Sequence, residues 1–128
     1  MRAVTVKGLS TSPLSAAVVA GGFVHTSGQV GRDPATGVVG DGLEQQMRLA
    51  LANLDLVLEA SGSGRAHVLK TVVFLVDRED FPEMNRHYRE HFGEPHPARS
   101  TIICQLADES LLFEIEAVAQ LAPSAQRT

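Results

Sequence analysis

The chain has 128 residues and a formal net charge of −4; 44% are hydrophobic, 20% charged and 5% aromatic, with no tryptophan. That length supports one domain with a real core rather than two. An acidic balance without a Lys/Arg cluster argues against a nucleic-acid surface, although one or two well-placed arginines could hold a small anion. Cys104 is the only cysteine, so no intrachain disulfide is possible and a cytoplasmic setting is expected. MRAVTVKGLS lacks the apolar stretch of a signal peptide. The longest apolar run, AAVVAGGFV, is too short to cross a bilayer, so no membrane partner is expected.

In chain order, AAVVAGGFVHTSGQV reads as two strands turning at Ala20-Gly21-Gly22. Turn signals follow at Asp33-Pro34 and Thr36-Gly37. Leu43, Met47, Ala50, Leu51, Leu54, Val57 and Leu58 recur at three- and four-residue spacing, the pattern of a helix with one apolar face. Asp41 and Glu44 predict a capping box at its start, and SGSG at 61–64 ends it. HVLKTVVFLVD (67–77) reads as a strand covered on both faces. A second helix is predicted from Asp80, with Pro82 in its first turn and Glu83 as capping partner. Phe81, Met84, Tyr88 and Phe92 form its buried stripe, and Gly93 stops it. STIICQL and LLFEIEAVAQ predict two strands joined by a short turn at 107–110. The PSAQRT tail is expected to be disordered, leaving one domain over 1–121 and a tail over 122–128. The order predicts an α+β fold: a mixed sheet with two helices packed on one face.

Strand alternation assigns the faces. Phe113, Ile115, Ala117 and Ala119 suit the helix-covered side, and Glu114, Glu116, Val118 and Gln120 the other. In the preceding strand Ile102, Cys104 and Leu106 form the core-facing set. Arg99, Thr101, Ile103 and Gln105 then face away from the helices. Two helices cannot cover both faces, so the second should meet solvent or another copy of the chain, and its apolar content predicts a homo-oligomer. A hairpin at 107–110 would set Ile103 opposite Glu114, with Arg99 roughly 13 Å from Glu114 along the strands. Either a substrate bridges the two, or each meets groups from a neighbouring subunit.

HTSGQVGRDPATGVV, KTVVFLVDREDFPEMNRHYREHF and PARSTIICQL with FEIEAVA, in that order, span nearly the whole chain from Pro13 to Ala119. This pattern resembles the RidA/YjgF reactive-intermediate deaminases, some labelled L-PSP endoribonucleases. The resemblance implies a chorismate-mutase-like fold, a homotrimer with clefts between subunits, and hydrolysis of small 2-imino or enamine acids. Such substrates, including 2-aminoacrylate and its imine tautomer 2-iminopropanoate, would yield 2-oxo acids and ammonia with no cofactor or metal. It assigns Arg99 to the substrate carboxylate, whose planar shape suits a guanidinium fork. It assigns Glu114 to the attacking water as general base. Ser27, Gly28 and Asn85 fall on cleft positions. Many members carry tyrosine where this chain has Leu14, and cysteine where it has Thr101; both positions belong to the substrate-binding set. The alternatives are a trimeric small-carboxylate-binding or regulatory protein without efficient turnover and, more weakly given the acidic charge, an endoribonuclease.

Other residues carry plainer expectations. Glu116 is expected to be structural. His87 and His91 have the four-residue spacing of helical metal ligands but no evident third ligand. Cys104 is expected in the core rather than as a nucleophile. Ser27 has only His25, on its own strand, as a nearby base, which makes a hydrolase triad improbable.

Overall fold

A computed structural model of the chain describes residues 1–126, without the side chains of the last two of these. Seven strands and two long helices form the fold: β1 (Arg2–Val4), β2 (Ala17–Ala20), β3 (Phe23–Thr26), β4 (Gln29–Val30), α1 (Gly42–Ala60), β5 (Val68–Leu75), α2 (Phe81–Phe92), β6 (Ala98–Ile103) and β7 (Phe113–Gln120). Within the stretch expected as a tail, Pro123–Gln126 makes one helical turn, α3; residues 127 and 128 lie outside the described residues. One sheet runs β1-β2-β3-β7-β5-β6, with β4 also paired to β7. All pairs are antiparallel except β5 with β6. The sheet is therefore mixed, and both helices pack on one of its faces.

The core follows from the two periodicities. α1 presents Met47, Ala50, Leu54, Val57 and Leu58, all fully buried, to Val24, Phe113, Ile115 and Ala119 of the sheet. α2 adds Met84 and Tyr88. Phe81, expected in the same stripe, is 37% exposed instead. Phe113 is among the largest fully buried side chains, so Phe113→Ala is expected to cost about 3–5 kcal/mol, read as a lowered urea midpoint at unchanged slope.

Two buried amides, invisible to hydrophobic periodicity, fasten α1 to the loops. Gln46 donates to Gly40 O and Ser110 O, at 3.1 and 2.9 Å, and accepts from Leu112 N–H at 2.7 Å. Asn53 donates to Val30 O and Arg32 O, at 3.0 and 2.8 Å. The expected capping box is absent: Glu44 pairs with Arg48, and Gln45 Oε1 accepts from Asp41 N–H at 2.9 Å. Glu83 likewise makes no cap at α2, which has no side-chain cap bond.

The largest correction concerns β6. It does not form a hairpin with β7. It pairs in parallel with β5, Thr71 opposite Arg99 and Leu75 opposite Ile103, while β5 pairs on its other side with β7. A strand–helix–strand unit returns its second strand parallel to the first, and α2 is that crossover. Residues 104–112 then carry the chain past β5 to β7. The faces of β6 are consequently reversed. Arg99 lies level with buried Thr71, and Thr101 with buried Val73, on the helix side. Ile102, level with Phe74 and Glu114, takes the open side and is 45% exposed. Cys104 is half-buried at the end of β6, not in the core. The alternation expected in β7 holds: Phe113, Ile115, Ala117 and Ala119 are buried, and Glu114, Glu116 and Val118 are half-buried on the open side. β5 is fully buried only on its helix face; Val72 and Phe74 on the other remain half-buried.

Candidate functional site

Glu114 sits where the strand after the Gly21-Gly22 turn is broken. β3 and β4 both pair with β7, but the register steps by one residue between His25–Val118 and Gln29–Ile115. Such a step is a β-bulge, which frees backbone and re-aims side chains. The Thr26 hydroxyl accepts from Ala117 N–H at 3.0 Å, satisfying a donor the bulge would otherwise strand. Ser27 is tied to the preceding loop: its N–H donates to Ala16 O at 2.8 Å and its hydroxyl to Ser15 O at 2.6 Å. Gly28 then lies flush against the Glu114 carboxylate, since a Cβ there would collide with Oε2. The glycine lets backbone approach the acid side-on. Gly28→Ala is expected to push the Glu114 carboxylate aside, seen in a crystal structure of the variant, while leaving the circular dichroism spectrum unchanged. Burial, reinforced by Glu116 two residues on, pushes the Glu114 carboxyl above the usual range. Exposed Leu14 immediately precedes Ser15 on the strap that receives Ser27.

Arg99 sits in different surroundings. Its guanidinium carbon lies 4.7 Å from the Tyr88 ring centroid and 5.7 Å from that of Phe81. Nη1 approaches Met84 Sδ at 3.9 Å, a weak contact. Tyr88 is itself fixed, its hydroxyl 2.7 Å from Thr71 Oγ1 in the buried layer. Burial raises the Tyr88 phenol, with the Thr71 bond and the Arg99 charge partly opposing, so it stays neutral. Ring stacking occupies the face of a guanidinium and leaves its in-plane N–H donors available. Among the described residues no carboxylate lies within ion-pair distance of Arg99. Asn85, Tyr88, Arg89, His96, Pro97 and Arg99 line a cleft of about 350 Å³. Thr101 follows two residues along on the same face, half-buried. Arg99 is thus a ring-held fork facing an open cleft.

The expected residues therefore fall into two groups. Ser27, Gly28 and Glu114, with Leu14 nearby in the chain, lie at the β3–β4 bulge. Asn85, Arg99 and Thr101 gather under α2. Arg99 and Glu114 are two strands apart and three residues offset, roughly 14 Å between Cα atoms. More decisively, they project from opposite faces of one sheet. Tyr88 figured in the sequence only as core, and Arg89 and His96 not at all. The cue for Arg89 was its place four residues after Asn85, on the same helix face.

The two histidines set four residues apart differ. His91 Nε2 lies 3.1 Å from Asp55 Oδ1, and the other oxygen of that carboxylate lies 2.7 Å from Arg65 Nη2, whereas His87 Nε2 is buried without a hydrogen-bond partner. Among the described residues no group of three or more His, Cys, Asp or Glu is placed to hold a metal ion. No helix among them is long and apolar enough to cross a membrane.

The sequence profile of the family described as Endoribonuclease L-PSP matches residues 6–121. The chain belongs to this family, that of the YjgF/RidA proteins. Among its Rid relatives, a RutC family protein of Pyrococcus horikoshii is 41% identical over 108 residues, 84% of this chain and 86% of that protein. The human 2-iminobutanoate/2-iminopropanoate deaminase is 36% identical over 112 residues, 87% of this chain and 82% of that protein. In three dimensions, RidA from the Antarctic bacterium Psychrobacter superposes with a TM-score of 0.89 at 28% identity, covering 94% of this chain and 100% of that one. Escherichia coli TdcF, crystallised with bound serine, gives 0.88 at 28% identity, covering 95% of this chain and 100% of that one. The mixed sheet with two helices is thus the Rid fold.

Proposed function

We propose that this Rid protein hydrolyses small 2-imino acids and their enamine tautomers, such as 2-aminoacrylate, to 2-oxo acids and ammonia, at sites shared between subunits of a cyclic homotrimer. The observation that carries the reading is the placement of a carboxylate-free, ring-held arginine and a burial-raised glutamate on opposite faces of one sheet. A ligand touching both needs two protomers. Docking the open face of one sheet, with Glu114 and Gly28, against the Arg99 cleft of a neighbour supplies that geometry. It also covers Phe23, Val72, Phe74, Ile102 and Val118, an apolar strip that water otherwise meets.

The chemistry asks little of the protein. Arg99 grips the 2-carboxylate through two N–H donors and so orients the C=N bond. An enamine first takes a proton at C3 and releases one from nitrogen, becoming the imine. Glu114 takes a proton from water as its oxygen adds to the imine carbon, and returns it to the nitrogen. The resulting carbinolamine passes its hydroxyl proton to nitrogen as the C–N bond breaks, giving the 2-oxo acid and ammonia. Water addition to an imine is easy once oriented, so one base and a fixed carboxylate are sufficient. RNA cleavage has less support, because the net charge is −4 and a two-arginine cleft suits a small anion better than a polynucleotide.

The test generates 2-aminoacrylate in situ with a serine dehydratase and follows its disappearance spectroscopically. The wild type is expected to accelerate the decay; an unchanged decay sinks the proposal. Mixing unfolded Arg99→Ala and Glu114→Gln chains and refolding them together should restore about one quarter of the wild-type activity, the share of interfaces with both residues intact in a random cyclic assembly. No recovery would mean that each site lies within one protomer.

A further inference from the structure

The Arg99 cleft holds more positive charge than one carboxylate can balance. Of its six lining residues two are arginines and one is histidine, and none is acidic. Among the described residues the ion pairs engage Arg32, Arg48, Arg65 and His91, so neither Arg89 nor Arg99 has a carboxylate partner. In a chain of net charge −4 this is a local reversal of sign, of the kind that draws anions to a cleft, with Arg99 half-buried inside and Arg89 and His96 exposed at the mouth. Asn85 and Arg89 stand four residues apart on α2 and so share a helix face. His96 and Pro97 close the cleft from the segment that leads into β6. Arg89 is exposed where Arg99 is half-buried, so a ligand that meets only Arg99 leaves the Arg89 donors at the cleft mouth without an acidic partner.

We infer that the cleft is a two-anion site, Arg99 holding the 2-carboxylate and Arg89 with His96 the second acidic group of a 2-imino or 2-oxo diacid. The preferred substrates are then four- or five-carbon diacids rather than alkyl 2-imino acids. This rests on the reading of Arg99 as the carboxylate anchor and adds the chemical class at the far end of the ligand. A cleft of about 350 Å³ has room for such a chain. Acidic side chains of a neighbouring subunit are the competing source of negative charge, and the experiment separates the two.

Calorimetry on the assembled protein compares 2-oxoglutarate and oxaloacetate with the monoanions 2-oxohexanoate and 2-oxobutanoate. The diacids are expected to bind at least about tenfold more tightly. Arg89→Gln should bring the two classes to within about twofold of each other, whereas Arg99→Ala should weaken both. Equal affinities in the wild type, a diacid preference that survives Arg89→Gln, or no binding of either class overturns the inference. So does an Arg89→Gln variant that loses assembly while the wild type shows no discrimination, since Arg89 would then serve a neighbour's carboxylate. Ready hydrolysis of 2-iminobutanoate without diacid preference sinks this inference alone. Diacid preference without hydrolysis of any 2-imino acid sinks the deaminase reading and leaves the ligand class standing.

Discussion

Arg99→Ala is expected to lower kcat/KM for 2-aminoacrylate by roughly 10²- to 10³-fold, the factor for removing one partner of a desolvated, hydrogen-bonded charge pair. Most of the loss should fall on KM, because the carboxylate is gripped equally in the ground and transition states and such uniform binding does not speed the chemical step. Arg99→Lys separates charge from shape. It keeps the cation but loses the planar fork and the stacking on Tyr88 and Phe81, so it should recover only a minor part of the loss. Tyr88→Leu probes the same anchor from beneath: Arg99 remains, but the ring that holds its guanidinium at 4.7 Å is gone, and KM should rise while kcat changes little. Steady-state kinetics on all three variants check this. Full activity in Arg99→Ala would show that the carboxylate is held elsewhere.

How much of this was legible beforehand depended on which rule applied. α1, the Gly21-Gly22 hairpin and the alternation of β7 follow from local periodicity and turn chemistry, and the structure has all three. The pairing of β6 is non-local. A short polar stretch between two strands suggests a hairpin, and only the crossover through α2 makes β6 parallel to β5. That one exchange of partners moved Arg99 and Thr101 from the open face to the helix face. The family resemblance had named both Arg99 and Glu114, but resemblance carries no geometry. Their separation onto opposite faces became visible only with the sheet order in hand. The β3–β4 bulge was equally hidden: SGQ reads as a continuation of the strand, and only the collision a Cβ at Gly28 would suffer explains the glycine. Gln46 and Asn53 escaped because apolar patterning is blind to buried amides whose partners lie far along the chain.

Glu114→Gln tests the other half of the site, and its stability signature separates a catalytic role from a structural one. Loss of a general base is worth about 10²–10⁴ in rate, so kcat should fall by that order while KM stays near the wild-type value. In the wild type kcat/KM should rise with pH as Glu114 ionises, with a midpoint above the ordinary glutamate range, because burial first and Glu116 second disfavour the charged form. Glu116→Gln removes the second contribution and should move that limb toward lower pH. A carboxyl with a raised folded-state pKa binds its proton more tightly folded than unfolded. Its contribution to stability is therefore fully present below the unfolded pKa and is lost as pH rises through the folded one. At neutral pH the buried charge is a burden, and a neutral amide of the same shape removes it. Glu114→Gln should accordingly melt no lower than the wild type at pH 7 and lose its relative advantage in acid, while remaining almost inactive at both. A variant that loses activity only in proportion to lost stability would assign Glu114 to the architecture of the bulge, and the water would need another base.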